Sequence, residues 1–174
     1  MATAAGLRRT LAALLTVLAG LPAAAVDRDN ITRSIEQQFQ RGETVVAQQR
    51  LAQALARQPD DVGLRFLQAV MLTGSGSTAE ASRLFEQLTQ EYPDLPEPYN
   101  NLAVLQAAVG RIDAARGLLE TALRLDPGYR TAHENLGDVF VRLAQRAYQA
   151  AVGPKADAGL QEKLRLAREL ASLR

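Results

Sequence analysis

The sequence contains no cysteine and no tryptophan, a single histidine, and no lysine before Lys155. Each absence removes a class of function. Without thiols there are no disulfides, thiolate metal sites, cysteine nucleophiles or acylated cysteine anchors. One imidazole, at His133, cannot build a histidine cage for a metal. Aromatics make up 5% of the chain, and 20 basic side chains stand against 19 acidic ones. Nucleic-acid binding needs a basic stripe interleaved with aromatics, and neither is present. Catalysis would need a nucleophile with its base, carboxylates paired in a pocket, or a metal cluster. Glu134 and Asp138 lie four apart on one helix face but have no third ligand, so no enzyme, metal or cofactor is expected. What is present is a 174-residue chain, 47% hydrophobic, with the apolar content of one globular domain.

Residues 1–25 read as a secretory signal peptide. Arg8 and Arg9 precede an apolar stretch from Leu11 to Leu21, Pro22 ends it, and Ala23-Ala24-Ala25 supplies small residues for cleavage after Ala25. The stretch is about a dozen residues long, against the ~20 that span a bilayer as a helix, so no stable membrane anchor is expected after cleavage. The segment carries two arginines and no acid, so its removal turns a formal charge of +1 into −1. The expected location is the bacterial periplasm.

The rest of the chain repeats every 34 residues. Glycine recurs at Gly42, Gly76 and Gly110, proline at Pro59, Pro93 and Pro127, and alanine at Ala47, Ala81 and Ala115. Leu51, Phe85 and Leu119 keep the same spacing, as do Ala54, Leu88 and Ala122. Each column has a physical role. An apolar run at helical spacing, such as Tyr99, Leu102, Ala103 and Leu105, precedes the glycine. The glycine lets the backbone leave that helix in a left-handed conformation. A second amphipathic helix follows, its small residue allowing close approach to the first, and the proline ends it.

On these columns the chain resembles the tetratricopeptide repeat family. Residues 96–129 carry the pattern most fully, with Tyr99, Leu102, Ala103, Gly110, Ala115, Leu119, Ala122 and Pro127. Residues 62–95 match at Ala69, Leu72, Gly76, Ala81, Phe85 and Pro93, with Arg65 in place of the aromatic, and residues 28–61 match more sparsely. A divergent fourth unit begins at residue 130. His133, Asn135, Leu136 and Gly137 align, but Ala144 stands where the turn glycine belongs, which predicts one long helix. Gly153-Pro154 stops it, and residues 153–174 are expected to form a turn and a capping helix that packs through Leu160, Leu164, Ala167 and Leu170. The resemblance thus implies an all-α, right-handed solenoid of helix hairpins over residues 26–152, closed by a C-terminal cap. The phrases around residues 92–101 and 131–138 are similar to a group of exported proteobacterial repeat proteins.

The resemblance also implies that the first helices line a concave groove that binds a peptide. By register its lining would include Glu36, Phe66, Val70, Glu97, Asn100, Val104, Thr131, Glu134, Asp138 and Arg142, with Asn101 and Asn135 placed to bond either peptide backbone or neighbouring helices. This mixture suits a partner with basic and aliphatic side chains. The family's basic clamp for a terminal carboxylate is not expected, because Thr32 with Glu36, Phe66 with Val70, Asn100 with Val104, and Thr131 with Asn135 occupy its places. The expected function is a non-catalytic adaptor in the cell envelope that holds a protein or peptide partner. The alternatives are a self-associating structural protein, such as a homodimer, with its C-terminal helix exchanged between chains, and the separated repeat module of a cell-envelope enzyme system.

Overall fold

The computed structural model describes residues 23–153 and 157–173, and the expected signal segment lies outside them except for its last three residues. Among the described residues every regular element is a helix, and they divide into two compact units, one within residues 23–94 and one within residues 95–173.

The first unit holds α1 (Ala23–Gln40), α2 (Thr44–Arg57), α3 (Val62–Gly74) and α4 (Thr78–Glu91). Helices α1 and α2 pack as one hairpin and α3 and α4 as the next, with α3 also touching α1 and α2. Ile35, Ala47, Leu51, Leu64, Leu67 and Met71 form its core, with Phe39, Ala54 and Leu55 packed against them. Asp61 caps α3, its carboxylate accepting from the Leu64 amide at 3.0 Å. Arg65 stands where the repeat elsewhere places an aromatic. It forms a two-pronged ion pair with Glu91, the second prong 3.0 Å long, so a charge-assisted link from α3 to α4 replaces ring packing.

The second unit holds α5 (Pro96–Ala108), α6 (Ile112–Leu125), α7 (Arg130–Ala151) and α8 (Ala158–Ser172). Its core is Ala103, Ala115, Leu119, Ala122, Tyr129, Ala132 and Val139. Helix α7 is one unbroken helix of 22 residues, with Gly137 inside it. His133, on the aromatic column, is exposed and bonds through Nε2 to the Pro127 carbonyl oxygen at 3.0 Å. Asp157 caps α8 by accepting from the Leu160 amide at 2.7 Å. Leu164 and Ala167 of α8 are buried and Leu160 and Ala171 half-buried. The expectation for Leu170 is corrected, because it is exposed. The residue that continues the packed line is Ala171, and Leu170 is rotated from it by about 100°.

The three hairpin turns are the same object built three times. Gly42, Gly76 and Gly110 have φ of +83°, +85° and +80°. In each, the residue after the glycine donates its amide back to the helix: Glu43 to the Gln38 carbonyl at 3.0 Å, Ser77 to Leu72 at 2.9 Å and Arg111 to Gln106 at 2.9 Å. This six-to-one bond closes otherwise orphaned carbonyls and sends the chain back along its own helix. Ala47, Ala81 and Ala115, all fully buried, sit one turn into the returning helices.

Two alanine substitutions should therefore have opposite signs. Gly110→Ala should destabilise by about 1–2 kcal/mol, the cost of a side chain in the left-handed region. Gly137→Ala, at an exposed mid-helix site where an added Cβ meets nothing within 4 Å, should stabilise by about 0.5–1 kcal/mol. Denaturant unfolding of both variants measures the pair.

Candidate functional site

In the second unit, α5 and α7 lie side by side as the first helices of successive repeats. Polar contacts join them. Asn135 Nδ2 donates to Asn100 Oδ1 at 2.8 Å, and Arg142 Nη1 donates to the Ala107 carbonyl at 2.9 Å. Asn101 turns back on its own helix, Nδ2 donating to the Glu97 carbonyl at 2.9 Å. The Arg142 contact is an added seal on the last turn of α5, where carbonyls lack helical partners.

Three expected lining residues are placed differently by the structure. Phe66 is 8% exposed, Val70 5% and Asn100 0%. Phe66 packs edge-to-face on Phe85, ring centroids 5.6 Å apart. Its apolar surface is therefore spent on joining α3 to α4 rather than offered to a ligand. Asn100 is an interior residue whose oxygen holds Asn135 while its Nδ2 meets no partner among the described residues. Glu134 and Asp138 remain exposed, and Glu36, Glu97, Asn101, Val104, Thr131, Asn135 and Arg142 are half-buried. The accessible face of α5 and α7 is thus predominantly acidic, with Val104 as an apolar element and Arg142 held against α5.

Burial shapes the acids on this face. Desolvation raises the Glu97 carboxyl above the usual glutamate range, and Asp126 pushes it the same way. Tyr129 lies nearby with its hydroxyl buried and unpartnered, and burial with the Glu97 and Asp126 charges pushes it well above the ordinary tyrosine range. In the first unit burial likewise raises Glu36, partly opposed by Arg33. Sequence reading missed the Glu97–Tyr129 neighbourhood because residues 32 apart, one in α5 and one in the turn before α7, give no periodic signal. It also missed a cleft of about 200 Å³ in the first unit, bounded by Ile31, Ile35, Arg50, Arg57 and Asp61 among others, which mixes residues from three helices. That volume is below the ~300–1,000 Å³ of typical small-molecule sites. Among the described residues no three His, Cys, Asp or Glu side chains group to hold a metal, and no helix is long and apolar enough to cross a membrane.

The raised Glu97 carboxyl has a definite effect on stability. A carboxyl with a folded pKa above its unfolded one penalises the folded state while ionised, and the penalty fades as pH falls through the folded pKa. Glu97→Gln should therefore raise the thermal midpoint at pH 7. Its advantage over the wild type should shrink towards about pH 4, where the unfolded carboxyl also protonates. Melting curves of the two proteins across that range check the sign.

The geometry finds its counterpart among known proteins. Two family profiles described as tetratricopeptide repeat match residues 38–96 and 72–136, together more than half of the chain. Among solved structures, a thermophilic tetratricopeptide repeat protein in Thermus thermophilus superposes with a TM-score of 0.61 at 19% identity, covering 81% of each chain. A tetratricopeptide repeat protein from Parabacteroides merdae gives 0.56 at 17%, over 82% of this chain and 58% of that one. A structure of Naa15/Naa10 bound to HypK-THB gives 0.57 at 16%, over 82% of this chain. This chain spans only 22% of the matched chain there. At these identities the likeness is one of fold. With the repeat profiles, the left-handed glycines at their fixed spacing and the hairpin packing all in agreement, the chain belongs to the tetratricopeptide repeat family, an all-α solenoid fold that serves as a protein-interaction module.

Proposed function

We propose that this protein is a non-catalytic scaffold of the bacterial cell envelope, exported to the periplasm, that holds an extended or helical peptide of a partner protein against the first helices of its hairpins. The observation that carries the reading is the α5–α7 face. Asn100–Asn135 and Arg142–Ala107 fix the two helices to each other, and Glu134 and Asp138 project from the surface so organised. A rigid, mainly acidic face with Val104 and Thr131 beside it favours a ligand with lysine or arginine and aliphatic side chains. Binding energy goes further on such a surface because little side-chain freedom remains to be lost. The repeat family supplies the general role, and residues 1–25 supply the export reading.

Two experiments test the proposal. A photo-crosslinking residue placed at Glu134 should capture a discrete partner in cells, whereas the same residue at Glu120, exposed on α6, should not. Glu134→Lys should weaken that partner at least ~10-fold, the loss expected from reversing a complementary charge, without moving the unfolding midpoint. Equal capture from both positions sinks the peptide-binding reading. Separately, protein recovered from a bacterial host should begin at Val26 and fractionate with periplasmic contents. An uncut N-terminus in the cytoplasmic fraction contradicts the export reading.

A further inference from the structure

Two of the three repeats fill a corner that the first leaves open. In the third repeat rings fill it where α5, the end of α6 and the turn into α7 meet: Tyr129 is buried and Tyr99 packs against the same core. In the second repeat the Arg65–Glu91 ion pair links α3 to the end of α4, with Tyr92 at that helix end. By the 34-residue register Ile31 stands for Arg65 and Tyr99, Arg57 for Glu91, Gln58 for Tyr92 and Asp61 for Tyr129. The first repeat therefore brings neither ring nor ion pair to this place. The cleft of about 200 Å³ between α1, α2 and the start of α3 is the space so left.

Its lining has a definite charge. Arg50 is oriented by two neutral oxygens, Nη1 donating to Ser34 Oγ at 3.1 Å and to Gln38 Oε1. Those bonds fix the guanidinium without neutralising it. Arg57 stands two turns further along α2 and meets no partner among the described residues. Asp61 is the acid of the described lining, and its carboxylate is engaged in capping the Leu64 amide. Two cations against one carboxylate leave a single positive charge beside the apolar walls of Ile31, Ile35, Ala54 and Leu64.

We infer that the cleft binds one carboxylate on a short aliphatic stem, the charge held by Arg50 and Arg57 and the stem by Ile31, Ile35 and Leu64. The planar fork of a guanidinium matches the two oxygens of a carboxylate. One net positive charge balances a monoanion, whereas a phosphate dianion would bring excess charge up to Asp61. The volume admits a group of side-chain size, not the larger ligands that occupy sites of ~300–1,000 Å³. A free short-chain acid and an aspartate, glutamate or C-terminal residue of a partner all present this group. Residues 1–25 hold no acidic side chain, so that segment does not supply one. The cleft belongs to the first unit and selects the charge opposite to that favoured by the α5–α7 face, so either reading can fail alone.

The test titrates isovalerate, at constant ionic strength and up to about 100 mM, into protein purified after expression of the full-length chain. Isovaleramide serves as its neutral counterpart. The acid should give saturable NMR shifts at the Arg50 and Arg57 Nε–H groups and the Ile31 methyls, with a Kd on the order of millimolar. The amide should give none. Arg57→Gln should weaken binding at least ~10-fold, as loss of a charge-assisted hydrogen bond does. Ile31→Tyr restores the ring of the third repeat and should block the cleft with both arginines in place. N-acetylvaline and N-acetylglutamate amide then separate the sources, a terminal carboxylate from an acidic side chain. No saturable shift, equal shifts from acid and amide, or binding indifferent to either substitution at unchanged helix content would overturn the inference.

Discussion

Everything in this molecule depends on how closely two helices approach within a hairpin. Ala47, Ala81 and Ala115 are fully buried where the returning helix meets the outgoing one. A larger side chain there would hold the helices apart, and the leucines and phenylalanines of the next turn would lose their contacts. The left-handed glycine that precedes each of them, at Gly42, Gly76 or Gly110, has the same purpose. It reverses the chain in so few residues that the two helices must lie together. Where the close approach is missing, in the divergent fourth unit, the helix simply continues for 22 residues. The final helix then packs against it through Leu164 and Ala167.

The same economy explains the polar interior. Asn100 is fully buried in a face that would otherwise be filled by apolar side chains, and its amide oxygen is matched by Asn135 on the next first helix. A buried amide pair constrains register more strictly than a leucine pair, because a slip leaves both groups unsatisfied. Helices α5 and α7 are thus aligned by a directional bond as well as by shape. The external pairs Arg65–Glu91 and Arg146–Asp113 are different in kind. Arg146–Asp113 lies at the surface, where water competes for both partners, and contributes little to net stability, whereas in Arg65–Glu91 only the glutamate is well exposed.

The fold was legible in the sequence because its determinants are periodic. Glycine, alanine and proline at 34-residue intervals announce turn, close approach and stop without reference to any distant residue. The face meant for partners was legible only by register, and register says which side of a helix a residue occupies, not how deeply its neighbours cover it. Phe66, Val70 and Asn100 share the register of the expected lining and are nevertheless buried. Leu170 failed for a related reason. Helix α8 offers two apolar lines, one through Leu160, Leu164, Ala167 and Ala171 and one through Leu166, Leu170 and Leu173, and only the first packs. Hydropathy does not separate the lines; the shape of the neighbouring helix selects between them.

The packing of two consecutive helices into each hairpin bears on how the protein comes into being. A hairpin such as α5–α6 finds its core partners within about thirty residues, so little loop entropy is lost in closing it. Its contacts are available as soon as that length of chain has emerged, before anything downstream exists. Within each unit, assembly can thus proceed in the order of synthesis, the first completed hairpin presenting a surface on which the following helices condense. Strain or damage to one hairpin is correspondingly felt first by its neighbours rather than by the whole chain, a graded response in place of an all-or-none collapse.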